Sequence, residues 1–132
     1  MADFASALLD WLEGDSRVTD IAAQNLFWVK VPGTAPLPYV RLQTISDPRP
    51  LTLKGYRKLR STRVQADCFA AKYGTARKLA EAIIAVMSQP ALVGEVQFGR
   101  AEAEGPRDLG EDTDRGFIHR ASVDLLVWHS ST

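Results

Sequence analysis

Two histidines, His119 and His129, one cysteine, Cys68, and an acidic run holding Glu111, Asp112 and Asp114 are the residues of this chain best suited to act on a bond or hold a metal ion. The histidines sit ten positions apart on one side of a single extended segment. At strand rise that is roughly 33 Å, too far to chelate one ion, so both read as structural strand histidines. Cys68 falls in mid-strand on the side assigned to the core, where a thiol packs as a small apolar group. Glu111, Asp112 and Asp114 lack the ordered spacing and turn glycine of a calcium loop and read as a solvated acidic loop. No serine occupies a Gly-x-Ser-x-Gly elbow, and Gly94 and Gly99 are isolated instead of forming a phosphate-cradling loop. No two carboxylates are set apart as acid and base. The expectation is a chain with no catalytic residue, no metal site and no cofactor.

Charge is segregated along the chain. Between Asp47 and Arg63 stand Arg49, Lys54, Arg57, Lys58, Arg60 and Arg63 against Asp47 alone, a local charge of +5. Between Glu102 and Asp114 stand Glu102, Glu104, Asp108, Glu111, Asp112 and Asp114 against Arg107 alone, a local charge of −5. Two solvated loops account for this pattern, and so do two complementary surfaces on one subunit, suited to a head-to-tail contact that closes into a ring. A basic arm facing a polyanion such as DNA is a further reading. Trp28, Tyr39, Tyr56 and Trp128 are the aromatics placed to help such contacts.

The elements that must position these residues belong to one domain. The chain has 132 residues, sixteen Lys+Arg against sixteen Asp+Glu, and 45% hydrophobic residues, enough for a core without disulfides. Zero net charge argues against a free-standing nucleic-acid binder. A single cysteine excludes an intramolecular disulfide and points to a reducing compartment. The start Met-Ala-Asp-Phe-Ala-Ser lacks the basic residues and apolar run of a signal peptide, and no apolar stretch approaches the length of a membrane span.

Phe4, Leu8, Trp11 and Leu12 repeat at helical spacing behind an Asp3 N-cap and before Gly14, and a shorter helical turn is predicted over Ser16–Ala23. Leu26–Val31 and Tyr39–Ile45 read as two strands joined by a short loop. Asp47–Leu59, with Pro48, Pro50 and Gly55, reads as a long excursion or hairpin arm. Arg63–Phe69 alternates strictly, with Val64, Ala66 and Cys68 inward and Arg63, Gln65 and Asp67 outward. Ala76, Leu79, Ala80, Ile83, Ile84 and Met87 mark the clearest helix. Glu95–Glu102 reads as a weaker strand, Gly105–Gly116 as a polar loop, and Phe117–His129 as a long final strand. The predicted fold class is α+β: an antiparallel sheet with two main helices packed on one face, in the order α-(α)-β-β-β-α-β-β.

Several segments in this order carry a family resemblance: Leu37-Pro38-Tyr39-Val40, Val64-Gln65-Ala66-Asp67 leading to Tyr73 and the Ala-rich helix, then Asp112-Thr113, His119-Arg120 and Val123-Asp124-Leu125-Leu126-Val127-Trp128. Over nearly the whole chain it resembles the tail completion or tail terminator (head-tail joining) proteins of long-tailed bacteriophages, prophages and gene transfer agents. The resemblance implies an α+β structural subunit without catalytic residues or cofactor. It implies a homo-oligomeric ring, usually a hexamer, at the head-tail junction of the virion, stacked on the last ring of tail tube protein and meeting a connector or neck protein. A neck or head-completion role and a DNA-backbone-binding module are the competing readings. The resemblance assigns no interface residues. Physical reasoning nominates Glu111, Asp112, Asp114 and the apolar Leu126 and Trp128, which fall on the solvent side of the final strand, as subunit interface. It nominates Arg49, Lys54, Arg57, Lys58 and Arg60 as an arm facing the lumen, where DNA or the tape-measure protein passes in loose electrostatic contact.

Overall fold

The computed structural model describes residues 3–53, 55–56 and 58–131. Helices α1 (Phe4–Glu13) and α2 (Ser16–Ala22) open the chain and are followed by strands β1 (Leu26–Trp28) and β2 (Tyr39–Ser46). A small hairpin, β3 (Leu51–Thr52) and β4 (Gly55–Tyr56), leads to β5 (Arg60–Ala70) and helix α3 (Tyr73–Met87). Strands β6 (Ala91–Val93), β7 (Val96–Phe98), β8 (Glu102–Thr113) and β9 (Gly116–Ser131) complete it.

The helix starts are written in short side chains. Asp3 accepts from the Ala5 amide at 3.2 Å, and Asp15 accepts from the Arg17 amide at 2.9 Å, so each supplies an acceptor that the first turn lacks. Both α1 and α3 bury an apolar stripe in one core: Leu8 and Leu12 from the first, Leu79, Ile83, Val86 and Met87 from the second. They meet Val40 and Leu42 of β2, Val64, Ala66 and Cys68 of β5, and Val123, Leu125 and Val127 of β9. The opposite face of these strands carries Arg41, Gln65, Asp67, Arg120, Asp124, Leu126 and Trp128.

The fold is therefore α+β with its helices on one face, as the periodicity predicts, and the sheet is mixed. Its order is β1-β2-β5-β9-β7-β6, with β8 pairing β9 alongside β7. Every pair is antiparallel except β1 with β2. The expected short loop between those two strands is instead residues 29–38, close to the dozen or so residues that a parallel connection requires. β1 also ends earlier than its composition predicts. Val29 takes φ 65°, a left-handed conformation that a β-branched residue pays strain to adopt, and this turns the chain out of the strand.

Two further differences concern the second half. The weak strand expected over 95–102 resolves into the β6–β7 hairpin, and the polar segment expected as a loop over 105–116 is mostly β8, paired with β9 from Glu102↔Leu126 to Thr113↔Gly116. Along β8 every residue except Pro106 is exposed. A strand wet on both faces shows no alternation; what holds it is the backbone of β9, helped by Tyr73 and Arg77 of α3, which reach Asp108, and by Arg107, which reaches Ser122 and Asp124.

Candidate functional site

The charged segments occupy distinct places on the sheet. The basic segment leaves where β2 ends and β5 begins, beside the last residues of β9 (Arg60↔His129, Thr62↔Val127). The acidic hairpin turns at Thr113–Gly116, beyond the other end of β5, where Ala70 pairs His119. Ten residue steps of β5 separate the two, on the order of 33 Å. Glu102 and Glu104 lie nearer the basic side: they share a recess with Arg63, Asp124 and Leu126. Glu111, Asp112 and Asp114 are all exposed at the far end, with no ion pair among the described residues.

The base of the arm is held by a polar chain that sequence reasoning missed. Asp47 accepts from Arg60 Nη2 at 2.7 Å and from the Thr62 hydroxyl at 3.0 Å, and pairs with Arg49 at 3.2 Å. Thr62 Oγ1 lies 2.7 Å from His129 Nε2. Because the hydroxyl proton is committed to Asp47, the imidazole donates, which selects the neutral tautomer protonated at Nε2. His129 is 4% exposed and its ring lies 4.2 Å from that of Phe4. Burial first, then the Arg60 charge, lower its pKa to about 4, against a smaller opposing effect of Asp47. Arg49 and Arg60, two of the five expected arm cations, are thus tied to Asp47, and Lys58 is exposed. Lys54 and Arg57 lie outside the described residues.

The arm is also apolar. Leu51, Leu53 and Leu59 are 69%, 109% and 48% exposed, and β3 and β4 pair with each other in a two-stranded sheet. Nothing in the charge pattern announces this, although three leucines among cations at a hairpin tip was a readable signal.

A second polar cluster lies on the face without helices. Asp67, at an outward position of β5, is fully buried. It accepts from Arg41 Nη2 at 2.9 Å and Gln65 Nε2 at 3.0 Å, and Arg120 Nε stands 3.4 Å away. Burial alone would raise its pKa, but the hydrogen bonds from Gln65, Ser122 and Arg41 and the charge of Arg120 outweigh it and hold the carboxyl below its ordinary range. The guanidiniums of Arg41 and Arg120 also lie over the Phe69 ring at 5.4 and 5.9 Å. Three central strands, β2, β5 and β9, are fastened together by side chains that alternation assigns merely to solvent.

The remaining nominated residues fall as follows. Leu126 is half-buried and Trp128 is 39% exposed, both on the face without helices. Trp28 is no surface aromatic: it packs against the core and its indole N–H donates to the Ala5 carbonyl at 3.0 Å. Tyr39 stacks on Phe69 at 4.9 Å. The Tyr56 side chain is outside what the structure describes. Cys68 is buried and its thiol pKa is pushed up by that burial, consistent with inert packing. His119 meets Tyr73 and Phe117 edge-on, 5.9 and 4.9 Å between centroids, far along β9 from His129. Among the described residues no group of His, Cys, Asp and Glu is arranged to hold a metal ion. No helix of the described residues is long and apolar enough to cross a membrane.

A one-layer sheet backed by helices, with a basic arm at one end and an acidic hairpin at the other, is a form built for contacts. The sequence profile described as "Tail completion protein gp17" matches residues 6–130, nearly the whole chain. The chain belongs to the tail completion protein gp17 family. It is a structural protein of the phage-type tail, and the family resemblance read from its motifs holds. No curated protein matches this tail completion protein in sequence. Among solved structures, a chain from "Virion of native gene transfer agent (GTA) particle" superposes with a TM-score of 0.67 at 15% identity, covering 97% of this chain and 93% of that one. A second solved chain gives a TM-score of 0.58 at 14% identity, over 98% of this chain and 90% of the other. At such identities the likeness is one of fold.

Proposed function

We propose that this tail completion protein forms a ring, a hexamer by family resemblance, that caps the tail tube, ends its polymerisation and offers the surface to which the head connector or neck attaches. The observation that carries this reading is the placement of two different, oppositely charged surfaces at opposite ends of one subunit. Such surfaces suit a heterologous contact, which propagates from copy to copy and closes when the rotation allows. Termination is then geometric. One face of the ring copies the growing end of the tube, and the other lacks the surface that the next tube ring needs. No bond is made or broken, so the reading requires neither a catalytic side chain nor a cofactor. A lumen-facing arm is the alternative to its pairing with the acidic segment: Arg49 and Lys58, with Lys54 and Arg57 from the same segment, would then meet DNA passing the ring in non-specific contact.

The test is the mass of the purified protein by light scattering, alone and with tail tubes, together with electron microscopy of the tubes. A ring in solution, or added density at one tube end only, is expected. A monomer that ignores tubes but binds isolated connectors would replace termination with a neck role. A monomer that binds only duplex DNA, with a steep salt dependence, would replace both.

A further inference from the structure

The arm and the β8–β9 hairpin are each incomplete as structures. Among the described residues the arm is a two-stranded hairpin, and isolated hairpins of that size are marginal in water. It nonetheless exposes Leu51, Leu53 and Leu59 beside a net positive charge. β8 is an edge strand. Past the irregularity between Glu104 and Arg107 and the donor-less Pro106, residues 107–113 pair with β9 on one side only, leaving alternate amides and carbonyls directed outward. The hairpin around that edge exposes Leu109 (45%) on the face without helices and Phe117 (49%) on the helix face, with Glu111, Asp112 and Asp114 beside them.

We infer that the arm of one copy closes over the β8 edge of the acidic hairpin of the next copy, its leucines reaching Leu109 on one face and Phe117 on the other and its cations meeting Glu111, Asp112 and Asp114. The inference rests on the ring reading above and names the contact that closes the ring. Charge complementarity selects the occupant: the segment that exposes the leucines also carries Lys54, Arg57 and Lys58, and the hairpin tip sets Glu111, Asp112 and Asp114 against Arg115 alone. Distance makes the contact intermolecular, because the arm leaves one end of β5 and the hairpin turns beyond the other. The apolar residues matter as much as the charges. Exposed ion pairs alone contribute little, whereas leucines and an aromatic brought together exclude water around them.

The experiment uses the full chain in two forms, Lys58→Cys and Asp112→Cys, with the buried Cys68 as a silent background. The two are mixed, assembled with tail tubes and mildly oxidised. Cross-links between unlike variants, well in excess of like-with-like cross-links, are expected. In parallel, Lys58→Glu and Asp112→Lys should each weaken assembly about tenfold at low salt, and the double variant should recover most of the loss. Rings or caps that form without the unlike cross-link, or charge variants whose effects simply add, would overturn the inference while leaving the ring reading intact. Failure of the unmodified protein to form a ring or cap at all would overturn both.

Discussion

His129 offers a quantitative test of the arm's foundation. Its ring is buried, neutral and committed through Thr62 to Asp47, with Arg60 and Arg49 facing it from the arm side. In the unfolded chain it titrates near the ordinary histidine pKa of 6.5, and in the folded chain at about 4. Between these values the unfolded state binds more protons, so stability is full above pH 6.5 and falls as pH drops toward 4. Integrated from pH 7 to pH 5, this one group removes roughly 2 kcal/mol, within a ceiling of about 3 kcal/mol reached below pH 4. Urea unfolding followed by tryptophan fluorescence at pH 7, 6 and 5 measures it as a falling midpoint at constant m. His129→Gln should flatten the midpoint across that range and be less stable than the parent at pH 7. An unchanged midpoint from pH 7 to 5 in the parent, or an equal fall in His129→Gln, would refute the account of a buried neutral ring under the arm.

Three further outcomes follow from the geometry. Asp67→Asn should destabilise by about 2–4 kcal/mol in chemical denaturation, because it leaves Arg41 and Arg120 crowded over Phe69 without their shared anion. Since the Asp67 pKa is lowered in the fold, its contribution is present above pH ~4 and lost as pH falls below that, so the variant should also show a shallower loss on acidification. Gly105→Ala should cost about 1–3 kcal/mol, measurable by thermal unfolding, because Gly105 has φ 107° and an added Cβ would sit 2.9 Å from the Ser122 carbonyl oxygen. Trp128→Ser should leave the subunit folded, within about 1 kcal/mol of the parent, while reducing assembly on tail tubes by light scattering; an unfolded variant would show that Trp128 supports the core instead.

The helices and the central sheet were legible because burial imposes a period. Phe4, Leu8 and Leu12 announce α1, the run from Ala76 to Met87 announces α3, and Val64, Ala66 and Cys68 announce the inward face of β5. β8 was not legible, since a strand exposed on both faces carries no hydrophobic alternation and its pairing is made by backbone groups that every sequence shares. The parallel β1–β2 pair was hidden for a related reason: direction is decided by the path of residues 29–38 and by a positive φ at Val29, neither of which side-chain pattern records.

The candidate surfaces divide the same way. Composition determined that the chain carries two segments of opposite charge, because charge is a property of residues wherever they lie. The family, too, was readable from the order of short motifs. Only the tertiary structure decided that the basic arm and the Glu111–Asp114 tip stand at opposite ends of the sheet while Glu102 and Glu104 lie near Arg63, that Asp47 ties down Arg49 and Arg60, and that Asp67 is fully buried although its position in β5 alternates outward. Those facts depend on which strands become neighbours, and neighbourhood is set by long-range pairing such as Arg41↔Asp67 and Thr62↔Val127, between residues tens of positions apart in the chain.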